Sequence, residues 1–127
     1  MKAFIFFISI LLLCTNLFSQ TRLPMSNDQL SMLDLDTTFI NEWRKDISSC
    51  GYRRTSYVRI SDNKKLIGID QDLLFKLFGK MKRNTDEIYV CTIYSTCDHG
   101  AKDYVGLELA FLFKKKKLQQ VEVVIVN

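Results

Sequence analysis

One histidine, one proline and one tryptophan are scattered through this chain of 127 residues, and each scarcity excludes something. With a single histidine, any Ser–His–Asp or Cys–His arrangement has to be built on His99. That residue stands in the loop-like run Asp98-His99-Gly100, with no nucleophile elbow around it. The five glycines form no phosphate-cradling loop, and no histidine pair shares a helix face. The spacing Cys91-x5-Cys97-x-His99 lacks the close pairs of a zinc site, so neither a metal nor a cofactor is expected. Catalytic residues are expected to be absent, and a hydrolase using His99 is the weakest of the functional readings. Charge of one sign is also scarce. A formal surplus of +4 does not argue for a nucleic-acid partner.

No apolar run is long enough to span a bilayer. The longest, at 3–18, falls short of the roughly 20 residues a membrane-crossing helix needs. Preceded by Lys2 and followed by the small residue Ser19, it reads as a secretory signal over 1–19, cleaved before Gln20. Two rivals stand beside this reading: lipidation at Cys14, opposed by the bulky Leu13 before it, and an uncleaved anchor. Removal of 1–19 takes away one charge, Lys2, and leaves enough chain for one domain with one core. The expected place of action is therefore periplasmic or extracellular. Residues 20–35 read as an N-terminal linker; 20–27, which hold Pro24, are expected to be mobile, with a weakly signalled turn over 26–33.

The domain proper is expected over 36–127. From 36 to 50 the chain reads as a helix capped by Asp36 or Thr37, with Phe39, Ile40, Trp43 and Ile47 spaced for one face. Trp43 is expected as a core anchor whose indole N–H needs a partner; stacking on a ligand is the other reading. The stretch 52–65 carries Arg53, Arg54, Arg59, Lys64 and Lys65 among apolar residues. It fits a helical or an extended connector, and its charge fits a solvated face or a patch for an anionic partner. The organising stretch is 66–79, LIGIDQDLLFKLFG. Asp70 suits an N-cap, Asp72 sits at the positive end of the helix dipole, and Leu73, Leu74, Leu77 and Phe78 make an apolar face. Gly79 suits a left-handed helix stop. So short a helix has to be held by what it packs against, here the sheet expected from the C-terminal half.

That sheet is expected to have three strands. Residues 88–94 are rich in β-branched and aromatic side chains. In 104–113, Val105, Leu107, Leu109, Phe111 and Phe113 alternate onto one face. Lys114 to Lys117 read as a solvated turn, and 118–126 returns with Val121, Val123 and Ile125 inward. An oxidising compartment permits disulfides. Cys50 and Cys97 both stand near element ends and are expected to pair, while Cys91 reads as a buried small hydrophobe.

The pattern of Trp43, Asp46 and Cys50 on one helix, then Gly51-Tyr52-Arg53, then Leu66-x-Gly68-x-Asp70 leading to Leu77-Phe78-Gly79 and a sheet, resembles the SmpA/OmlA (BamE-like) group of small exported bacterial domains. That group is related to the fold of β-lactamase inhibitory protein. The resemblance spans about 39–126, and Asp70 stands where the family usually has Ser or Thr. It implies an α+β fold of two helices packed on a three-stranded antiparallel sheet (ααβββ), used as a protein-binding module in the cell envelope. It carries over no catalytic or binding residues. The expected partner is another envelope protein, met through the sheet's outer face or loops, with Arg53, Arg54, Tyr94 and Tyr104 as candidate surface residues. A peripheral contact with anionic lipid through the basic turn and the Arg-rich connector is the alternative.

Overall fold

The computed structural model describes residues 23–46, 51–94 and 106–126, with Tyr94 described in its backbone alone. Among these residues the order is α1 (Asn27–Met32), α2 (Thr37–Lys45), α3 (Tyr52–Ser56), α4 (Val58–Ser61), a 3-10 turn (Lys64–Leu66), α5 (Gln71–Phe78), then strands β1 (Lys82–Arg83), β2 (Ile88–Tyr94), β3 (Gly106–Lys114) and β4 (Lys117–Val126). The α+β class stands. Its finer form does not: among the described residues the sheet has four strands in the order β1-β2-β3-β4, all antiparallel, and there are five α-helices.

Each extra element has a local cause. The expected linker becomes structure from Ser26 onward, because Ser26 and Gln29 form a reciprocal capping box that starts α1. Leu30 and Leu35 then enter the core, at 0% and 2% exposure, so 26–35 packs with the domain. The connector left open between helix and strand is helical. It folds as α3 and α4, and the 3-10 turn follows under an Asn63 cap. Ile60 and Leu66 anchor it in the core. β1 arises from the supposed polar link, where Asn84 N–H and Thr85 N–H both donate to the Ile88 carbonyl and fold Lys82 and Arg83 back onto Val90 and Tyr89.

α2 follows its sequence closely. Asp36 accepts from the Phe39 N–H at 2.7 Å, and Phe39, Ile40 and Trp43 are buried at the spacing that makes one face. α5 keeps its expected span and its glycine stop, with Gly79 at φ 90°. Its start differs. Asp70 makes no side-chain cap; its carboxylate instead meets Lys117 Nζ at 2.6 Å. The backbone explains why. Gly68 N–H donates to the Leu118 carbonyl, Leu118 N–H to Ile69, and Gln71 N–H to Lys116, so 68–71 lies along the first residues of β4. That placement brings Asp70 beside Lys117, and a charge-assisted bond wins over the cap. α5 rests on the sheet as expected, with the Phe75 ring 4.9 Å from Tyr89 and 5.9 Å from Phe113.

All the helices contribute to one core on one face of the sheet. Cys91 and Ile93 from β2, Leu109, Phe111 and Phe113 from β3, and Leu118 from β4 meet Phe39, Trp43, Leu74, Leu77 and Phe78 there. Each such side chain, fully buried, stabilises by about 1.5–3 kcal/mol. The inward register of β4 holds, since Val121, Val123 and Ile125 pair across from Phe111, Leu109 and Leu107. Burial does not follow it: Val123 is 41% and Ile125 68% exposed. The β3–β4 turn places Lys115 and Lys116 at φ 52° and 61°, the left-handed geometry of a tight hairpin.

Candidate functional site

Two places concentrate chemistry. The first lies where α2 ends against α3 and β2. The Asp46 carboxylate accepts from the Arg53 N–H at 2.9 Å, which turns the Arg53 side chain inward over the Trp43 ring, 5.0 Å from its centre. From there Nε donates to the Trp43 carbonyl at 2.8 Å and one terminal nitrogen to the Thr92 carbonyl at 3.2 Å. The same nitrogen stands 3.6 Å from the Cys91 sulfur. A guanidinium suits the place because its flat fork reaches several acceptors at once while its face stacks on the indole. Arg53 is thus a half-buried staple between helix and sheet, where the sequence suggested a solvent-facing contact residue.

Cys91 is buried with a free thiol, as expected of a small hydrophobe. Burial pushes its thiol up. Arg53 and the Trp43 indole N–H pull the other way without overcoming it, and Glu108 adds to the rise. A thiol held protonated is a poor nucleophile. Trp43 is fully buried, a core anchor, but its indole N–H finds no hydrogen-bond acceptor among the described residues.

The second place is the sheet face turned away from the helices. Ile88 pairs with Leu112, Val90 with Ala110 and Thr92 with Glu108, while Glu122 and Val124 of β4 pair with Ala110 and Glu108. Ile88, Val90, Ala110 and Leu112 are half-buried and none belongs to the core. Strand geometry puts them together, because alternate residues share a face. They form an apolar centre, with Lys82, Glu108, Gln120 and Glu122 around it. Sequence reasoning missed these four because β2 is apolar on both faces; only the β2–β3 register shows which side each residue takes.

Of the other residues singled out, Arg54 is exposed on α3 and engaged with a neighbour. Cys50, Cys97, His99 and Tyr104 lie outside the described residues, as do Cys14, the segment 1–19 and the Tyr94 side chain. The Cys50–Cys97 pairing lies there with them. Among the described residues, no cluster of His, Cys, Asp or Glu could hold a metal ion, and no helix is long and apolar enough to cross a membrane. No family model, no curated protein and no solved structure matches this chain.

Proposed function

We propose that this chain is an exported, non-enzymatic module that binds another envelope protein through the outer face of its sheet. The observation that carries the reading is the one-sided layering. The helices pack on one face, and the opposite face keeps Ile88, Val90, Ala110 and Leu112 at the centre of a polar and charged border. An apolar centre inside a polar rim is the common anatomy of a protein-binding patch. The SmpA/OmlA resemblance supports the same reading through its motif, and the pattern of 1–19 supports export.

A photo-crosslinking residue at position 112, expressed in cells, tests it. The expected outcome is one protein captured reproducibly and lost in a Val90→Lys variant that still melts cooperatively. Capture of lipid alone, or capture unchanged by Val90→Lys, overturns the reading. N-terminal sequencing of the mature chain tests export, with Gln20 as the expected first residue.

A second reading has its own observation. Lys114, Lys115 and Lys116 are all exposed at one hairpin tip, while Lys117 is engaged by Asp70. Three exposed ammonium groups at a projecting point suit an anionic lipid surface. Binding to anionic vesicles that fades with added salt supports it, and no binding at low salt removes it.

A further inference from the structure

The unexplained feature of the fold is β4. It is an edge strand, and of the six large apolar side chains exposed among the described residues, three (Val123, Val124 and Ile125) belong to it. Two more stand next to it. Val58 lies on α4, which packs against β4, and Ile67 precedes the Gly68 that bonds Leu118. Exposed edges in natural sheets are ordinarily short, charged, or broken by proline or an inward lysine. The stretch 119–126 has no proline or lysine and a single charge, Glu122. Its inward side chains Val123 and Ile125 are patterned for a core but are only partly covered by the described residues.

We propose that β4 pairs edge to edge with β4 of a second copy of this chain, antiparallel, about a two-fold axis at Val123. The inference is independent of the outer-face reading, because it rests on the rim of the sheet at β4 and not on the apolar patch of β2 and β3.

Three constraints select this arrangement. The segment 68–71 already occupies the edge as far as Leu118, so pairing is confined to 119–126. A two-fold axis perpendicular to the sheet keeps both inner faces on one side, so each residue pairs with one of the same parity. An axis at Glu122 would set two carboxylates directly opposite each other, which is destabilising. An axis at Val123 sets Val121 against Ile125, Val123 against its own copy, and Glu122 against Val124. It also carries the two basic hairpins, at Lys114 to Lys117, to opposite ends of the joint sheet. The strand is its own apolar complement, and like charges stay apart. Val58 and Ile67 of each copy border the joint. A contact of so few residues belongs with the small interfaces, below about 1,200 Å² in total, which implies a concentration-dependent dimer.

Analytical ultracentrifugation of the purified protein over a range of concentrations tests the proposal, with hydrogen exchange on the same samples. The expected result is a monomer–dimer equilibrium in which amides within 119–126 gain protection as the dimer fills. Val123→Lys should raise the dimer Kd by about two orders of magnitude, because it sets like charges opposite each other at the axis. Val90→Lys, on the outer face, should leave the dimer intact, which separates this proposal from the partner-binding reading. A monomer at every concentration overturns the proposal. So does a dimer indifferent to Val123→Lys, or one whose protection falls outside β4. If Val123→Lys fails to fold, the concentration dependence of amide protection in the unaltered protein still decides the matter.

Discussion

At the scale of single residues, Asp36 and Arg53 hold more of the fold than their exposure suggests. The Asp36 carboxylate accepts the Phe39 N–H that would otherwise be an orphan of the first helical turn. That bond, aided by Arg59 at 3.4 Å, holds its carboxyl below the usual carboxylate range despite some burial. A carboxyl whose folded pKa is depressed stabilises the fold above its unfolded pKa. That contribution is lost as pH falls through the folded value. Thermal melts should therefore show Asp36→Ala losing about 1 kcal/mol at neutral pH, and the gap to the parent protein closing on acidification below about pH 4. Arg53→Met keeps bulk over Trp43 but removes the donor that reaches both the Trp43 and Thr92 carbonyls. Urea denaturation should show a loss of about 1–3 kcal/mol, with Arg53→Lys recovering little because a single ammonium cannot span both acceptors.

At the scale of elements, the β3–β4 hairpin works against its own turn. Two lysines occupy left-handed positions where Asn-Gly is the natural choice. Replacing Lys115-Lys116 by Asn-Gly should raise stability by about 1–2 kcal/mol, read as a higher melting temperature, while weakening any attraction of the tip for anionic vesicles. The elements also differ in how far the sequence foretold them. α2 was legible because Phe39, Ile40 and Trp43 repeat at helical spacing behind a capping carboxylate, and β3 because Leu109, Phe111 and Phe113 alternate cleanly. α5 was legible in span but not in how it begins. The group that claims Asp70 is Lys117, far along the chain, and no local pattern announces it. β1 was invisible because Lys82 and Arg83 carry no apolar alternation; a neighbouring strand recruits them. Arg53 looked like surface because its partners are backbone carbonyls, which leave no trace in composition.

At the scale of the whole molecule, the sequence told which face the residues of β3 and β4 take but not what lies against that face. Val121, Val123 and Ile125 alternate as well as any core strand does, yet the helices shelter Phe111 and Leu109 more fully than they shelter β4. The outer face shows the same gap. Ile88 and Leu112 become neighbours only through the β2–β3 register, so a binding patch assembled across strands cannot be read along either one.

The far side of the sheet answers a question that the open rim raises. There β1 is two basic residues long, and beyond it the Thr92 carbonyl is taken by Arg53. Among the described residues the β1 margin is short and charged, so a sheet that joins along β4 has little to offer on its other side. Stacking into ribbons, the usual hazard of unguarded strands, is blocked at the opposite border by a pair of cations and a guanidinium.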